Sequence, residues 1–260
     1  MSNKHRLLIC LIALLVPALL PAQVRRTGAP EPDLSLMELP AVAEEDIILV
    51  YEGFVVNYNP QWLQPNWVAY ELTAEEVEGE VPRARGFGMD PRYPERQAMR
   101  EDYSNTGWDK GHMAPAADMK WSLTAMNESF YLTNICPQDP TLNGADWHAL
   151  ERQVRAWAQQ YGRVRVVCGP YVTDNAFGTI GERRVVVPDG FFKAVLRTDP
   201  DGSCHAIAFV FANHARRQRL RDAVVSVDAV EALTGFDFFP NLPDDIEEII
   251  ESASRWEAWQ

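Results

Sequence analysis

Gly107-Trp108-Asp109-Lys110-Gly111-His112-Met113-Ala114-Pro115 is a stretch where backbone constraint and reactive side chains coincide. A histidine preceded by glycine and closely followed by proline does not suit the interior of a helix or a strand. It suits a turn where the side chain is displayed. Alone, such a histidine would read as a structural turn residue. Here it has company: Asn134-Ile135-Cys136-Pro137-Gln138, then Leu142-Asn143-Gly144-Ala145-Asp146-Trp147, then Leu150-Glu151.

The segment Trp147 to Tyr161 carries a helical pattern, with Leu150, Val154, Trp157 and Ala158 recurring at intervals of three and four. A helix that starts near Asn143 sets Asn143, Trp147 and Glu151 along one side. The rise over eight residues is about 12 Å, too far for Asn143 and Glu151 to grip one ion together. Asn143 is therefore the expected direct ligand of a cation, and Glu151 is expected to act through water. Few protein oxygens and much water is how magnesium is held beside phosphate.

Outward from this centre, Ile47 to Tyr51, Phe54 to Tyr58 and Trp67 to Leu72 read as strands, and Glu75 to Glu80 as an acidic solvated turn. Residues 83 to 121 are long, irregular and rich in Gly, Pro, Asp and Arg, a texture that in a compact domain marks function or disorder. Phe130 to Thr133, Val164 to Cys168, Arg184 to Val187, Phe191 to Arg197 and Ala206 to Phe211 continue the strands, and Asp244 to Trp256 reads as a terminal helix. The class is α+β with a largely antiparallel central sheet flanked by helices.

Residues 1–22 read as a signal peptide, with a basic start, an apolar run from Leu7 to Leu20, and Pro21-Ala22. The reading implies a secreted or periplasmic protein with no membrane attachment after cleavage. Residues 23–45 read as a flexible lead-in, and 46–260 as the folded domain. Without Cys10, three cysteines remain: Cys136, Cys168 and Cys204. If two pair, Cys168 and Cys204 are the expected couple, since both sit at strand-like segments. A formal net charge of −13 excludes a broad basic surface that stores nucleic acid, but not a few local grips on phosphate.

Taken together, the motifs resemble those of the DNA/RNA non-specific endonuclease family, which includes sugar-non-specific secreted nucleases and endonuclease G. The family's Asp-Arg-Gly-His reads Asp109-Lys110-Gly111-His112 here, its Asn-Ile-x-Pro-Gln spans Asn134 to Gln138, and its Leu-Asn-x-x-x-Trp with a following Leu-Glu spans Leu142 to Glu151. Gln64 to Tyr70 resembles the family's entry strand, and Glu231 to Pro240 its C-terminal segment. Several motifs in the family's order are far more specific than any one alone.

The resemblance implies a ββα-metal nuclease core and a magnesium ion, with manganese as the alternative. It implies DNA and RNA as substrates, and products with 5′-phosphate and 3′-hydroxyl ends. His112 would be the general base, Asn143 the metal ligand, Asn134 an orienting residue and Glu151 a helper behind the ion. A phosphate-gripping arginine is Arg83 or Arg85. Lys110 replaces the usual arginine, which keeps the charge and loses the planar fork. His148 reads as a surface residue, and Arg216, Arg217, Arg219 and Arg221 as a solvated face. An inactive nucleic-acid-binding relative and a small-substrate phosphodiesterase are the competing readings. Monomer and homodimer both fit.

Overall fold

In the computed structural model of the chain, residues 36–214 and 216–260 are described. The expected signal peptide, Cys10 and the first part of the lead-in lie outside them. Strands β1 (Ile47–Val50) and β2 (Val55–Asn59) form a hairpin in which Val50 faces Val55. Strand β3 (Gln64–Thr73) runs directly into α1 (Ala74–Val77). The acidic stretch expected to be a solvated turn is thus one helical turn. The cause is a capping box: the Thr73 hydroxyl accepts the Glu76 N–H, and the Glu76 carboxylate accepts the Thr73 N–H.

The irregular region holds β4 (Asp109–His112) and α2 (Leu123–Glu128), and is followed by β5 (Ile135–Gln138) and α3 (His148–Tyr161). Phe130 to Thr133 is not a strand. Tyr131 makes a single bridge to Gly88, and Leu132–Asn134 is a 3₁₀ turn. Beyond α3 come β6 (Arg163–Tyr171), the small hairpin β7 (Thr179–Ile180) and β8 (Val185–Val186), then β9 (Gly190–Thr198), β10 (Cys204–Ala212) and β11 (Val224–Val225). Helices α4 (Val227–Thr234) and α5 (Asp244–Glu251) close the chain.

The main sheet has seven strands in the order β1-β2-β3-β6-β9-β10-β11, every neighbour antiparallel. It is covered on both faces, which explains why β9 reads as an almost unbroken apolar run rather than an alternation. Phe191 and Val195 point into one core with Trp147, Leu150, Val154 and Trp157 from the α3 side. Phe192, Ala194 and Leu196 point into a second core with Val227 and Val230 of α4 and Ile250 of α5. The sheet therefore separates α3, which carries candidate site residues, from α4 and α5.

Residues 36–45, within the stretch expected to be loose, are held against this second core. Leu39 is buried there, and the Ala41 N–H donates to the Asp237 carbonyl at 2.8 Å. No disulfide forms among the described residues. Cys168 faces Lys193 and Cys204 faces Thr198, five positions apart along β9. That is about 17 Å of strand, far beyond the reach of a disulfide. No helix among the described residues is long and apolar enough to cross a membrane.

The terminal helix also stops earlier than its pattern suggests. After α5, a 3₁₀ turn over Trp256–Trp259 folds back onto α3. The Trp157 indole N–H donates to the Trp259 carbonyl at 2.7 Å, and the two rings lie 4.7 Å apart. Truncating Trp259 to alanine opens a cavity beside Trp157 and should cost about 3 kcal/mol. The expected result is a clearly lower urea midpoint with an unchanged slope.

Candidate active site

The β4–β5 hairpin sets Gly111 opposite Cys136 and His112 opposite Ile135. A side chain at position 111 has no room, because an added Cβ would sit 2.7 Å from Gln138 Cβ. Glycine lets the strands close, and His112 then ends β4 as its last residue. The chain beyond it is fixed by Asn134. The Asn134 carbonyl accepts the Met113 N–H at 3.0 Å. Its side-chain oxygen accepts the Ala114 N–H at 2.8 Å, and its amide donates to the Ala114 and Ser129 carbonyls at 3.0 and 2.8 Å. The Asn134 amide is saturated by backbone, so it holds the segment that follows His112.

His112 is only 8% exposed. Its ring packs against Phe87 at 5.3 Å and Phe130 at 4.9 Å, and Nε2 is buried without a hydrogen-bond partner. Burial lowers its pKa to about 3, and the nearby Arg83 charge adds to the shift. The imidazole is therefore neutral at ordinary pH, the state a proton acceptor needs.

The helix side begins with Asp139, whose carboxylate accepts the Thr141 and Leu142 N–H groups. Leu142–Trp147 is then a π-helical turn that leads into α3. This changes the expected facing. Its i→i+5 hydrogen bonds bring Asn143 and His148 to the same side, while Trp147 turns away into the core, 5.7 Å from Phe191. Asn143, Trp147 and Glu151 do not share a face; Asn143, His148 and Glu151 share a cavity. The Asn143 amide donates to Asp109 Oδ2 at 2.9 Å, which ties the helix start to β4 and leaves the carboxamide oxygen for another partner.

The cavity holds about 200 Å³ and is lined by Arg83, Lys110, His112, Asn143, His148 and Glu151, with Pro115, Ala116 and Ala117. Of the residues that the resemblance singled out, Arg83, Lys110, His112, Asn143 and Glu151 line this one cavity, while Asn134 and Arg85 do not. Arg83 and Arg85 are both exposed, but Arg83 packs its guanidinium 5.0 Å from the Phe130 ring and lines the cavity, whereas Arg85 does not line it. Lys110 lies 5.2 Å from the Tyr103 ring, and burial followed by the Arg100 charge lowers its pKa. His148 is exposed, as expected of a surface residue, but the surface it occupies is the rim of this cavity.

Sequence reasoning missed the charges beneath. Lys193 is fully buried in β9, with Nζ 4.7 Å from the Trp147 ring. Asp118 pairs with Arg155 at 2.6 Å and accepts the Tyr70 hydroxyl at 2.9 Å. Burial raises the Glu151 pKa to about 7; Lys193 pulls it down and Asp118 pushes it up. The only signal for Lys193 was a lysine inside an apolar strand. The basic cluster at 216–221 lies outside the cavity lining: Arg217 pairs with Asp146, Arg219 with Asp222 and Arg221 with Glu257. The Cys136 thiol is buried and its pKa is raised well above the ordinary value, so it is no nucleophile.

The model of the DNA/RNA non-specific endonuclease family matches residues 37–245. The chain is 37% identical over 207 residues to the mitochondrial nuclease EXOG of Danio rerio, covering 74% of this chain and 60% of that protein. It is 30% identical over 223 residues to the mitochondrial endonuclease G of Homo sapiens, covering 81% and 74% respectively. The crystal structure of an EndoG/EndoGI inhibition complex superposes with a TM-score of 0.74 at 28% identity, covering 80% of this chain and 90% of that one. The chain spans about three fifths of the length of the EXOG relatives. These relatives correct the expected location. They are mitochondrial nucleases, which points to mitochondria rather than to secretion or the periplasm. A basic start before an apolar run does not by itself fix a destination.

The raised pKa of Glu151 has a consequence for stability. The folded state keeps this proton up to about pH 7, while an unfolded chain releases it near the ordinary glutamate value of about 4.3. Its contribution is full below the unfolded value and is lost as pH rises through the folded one. In EDTA, Glu151→Gln should therefore gain melting temperature over wild type as pH rises from 4.5 to 8. A difference that stays flat across that range would refute the assignment.

Proposed function

Because the chain belongs to the DNA/RNA non-specific endonuclease family, we propose that it hydrolyses phosphodiester bonds of DNA and RNA without regard to base sequence, with His112 as general base. The observation that carries this is the single cavity in which a neutral, unpartnered imidazole meets a carboxamide, a carboxylate and two cationic side chains. The nuclease domain is expected over residues 46–260; the family match over 37–245 and the buried Leu39 favour a start near residue 37.

The family is of a metal-dependent type, and the residues present suit a hard divalent ion. The Asn143 amide is engaged by Asp109, which frees its oxygen, and Glu151 adds carboxylate oxygens in the same cavity. Oxygen donors of this kind are what magnesium takes, with manganese as the alternative. Asn143 would hold the ion and Glu151 would support it. When bound, the ion supplies positive charge to the phosphate as negative charge builds in the transition state.

The chain's own groups do the rest. Arg83 and Lys110 attract and seat the phosphate, with Lys110 acting as a point charge where the family carries arginine. The His112 imidazole takes the proton from the attacking water, and its apolar walls keep it uncharged until then. In-line attack on phosphorus then breaks the bond to the 3′ oxygen, which takes a proton from solvent, and leaves 5′-phosphate and 3′-hydroxyl ends. Two features of the cavity thus point the same way: its cations suit phosphate, and its base is free to act.

The decisive assay is plasmid nicking with magnesium. EDTA should abolish cleavage. His112→Ala should slow it by about 10²–10⁴-fold, with DNA binding little changed; undiminished cleavage would discard the mechanism. The arginine assignment has its own check. Arg83→Ala should cut kcat/KM by about tenfold or more, and Arg85→Ala should leave it near wild type. The reverse pattern would move the phosphate grip to Arg85.

A further inference from the structure

On the sheet face away from the catalytic cavity, α4 and α5 bring Asp228, Glu231 and Glu251 together. One carboxylate oxygen of each lies within 4.8 Å of the others. Asp228 and Glu231 are three residues apart on α4 and so share a side, while Glu251 is the last residue of α5. Acidic groups often gather at a surface without purpose. Glu251 is different: it is only 4% exposed, and its Oε1 is shut off from solvent with no hydrogen-bond partner. A buried oxygen left without a donor costs stability, so it calls for a partner.

No cation among the described residues supplies one. No ion pair reaches Asp228, Glu231 or Glu251. The charged neighbours that act most strongly on Glu251 are Glu231, Glu247, Asp228 and Asp237, all carboxylates. Glu231 is already oriented, because its Oε1 accepts the Phe238 N–H at 2.8 Å.

The spacing leaves room for a shared calcium-sized ion. Two oxygens bound to the same calcium at about 2.4 Å can be no more than about 4.8 Å apart. All donors are hard oxygens, which select calcium-type ions over transition metals. Exposed Asp228 leaves an open side for water to complete the shell. We propose that Asp228, Glu231 and Glu251 form a calcium-type divalent cation site that pins α5 to α4, separate from the catalytic cavity. Binding would draw Glu251 into the ion's shell and relieve its unpartnered carboxylate.

The test removes the catalytic ligand first to weaken binding in the catalytic cavity, and the added changes at α4 and α5 then tell the two sites apart. Asn143→Ala protein is titrated with calcium chloride in chelator-treated buffer, followed by calorimetry and melting temperature. The expected result is about one ion per chain and a raised melting temperature. Adding Glu231→Gln and Glu251→Gln should weaken binding at least tenfold while the metal-free protein melts no lower, since the carboxamides keep the shape and remove repulsion. If that double change fails to fold, Asp228→Asn serves in its place with the same expectation. No heat and no melting shift in the Asn143→Ala protein would overturn the proposal. So would binding weakened less than tenfold by the added changes.

Discussion

The constraint on which the site depends is the wide first turn over Leu142–Trp147. In a regular α-helix, Asn143 and Trp147 would occupy the same side, and one would have to accept the other's environment. Either a carboxamide would be buried in apolar contact or an indole would be left in water. The i→i+5 turn separates them. Trp147 contributes a fully buried ring to the sheet core, worth about 2–3 kcal/mol, which offsets the poorer hydrogen-bond geometry of the turn. Asn143 and His148 stay at the cavity. Asp109 then clamps the Asn143 amide, so that the hairpin and the helix cannot drift apart without losing a hydrogen bond.

Below that clamp, charge balance sets the chemistry. Lys193, Asp118, Arg155 and Glu151 share a region with little solvent, and each ion is tolerable only because of the others. His112 stands apart, walled by Phe87 and Phe130, and feels mainly desolvation. One small cavity therefore holds an uncharged imidazole and a carboxylate poised near neutrality. Their environments, not their types, divide their roles.

Much of this could be read from the chain, and the failures share a cause. Gly111, His112 and Pro115 read as a turn, but Gly111 and His112 belong to β4, because pairing with β5 is a contact across the fold that the local constraints do not show. The helix pattern through Leu150, Val154 and Trp157 held because all three face one core. The long strands were visible because a sheet covered on both faces leaves continuous apolar runs. What stayed hidden depends on contacts across the fold. Nothing in Leu142 to Trp147 signals one residue too many in a turn; only the competing demands of Trp147 and Asn143 reveal it. Lys193 makes sense only once Glu151 and Asp118 lie beside it. The Cys168–Cys204 pairing was undone by sheet register, which spacing along the chain does not encode. Arg83 and Arg85 were equivalent as sequence, and Phe130 separated them by giving one guanidinium a surface to lie on.

The distribution of thiols gives the molecule a practical handle. Cys136 and Cys168 are fully enclosed, and Cys168 donates its S–H to the Met113 carbonyl directly behind the hairpin. Alkylating reagents have no path to either. Cys204 is partly accessible, at the start of β10 beside Ile249 and Ile250 of α5. Among the described residues, a maleimide dye would therefore attach at one place, leaving the nuclease cavity untouched, and would report on how firmly the last helix is seated.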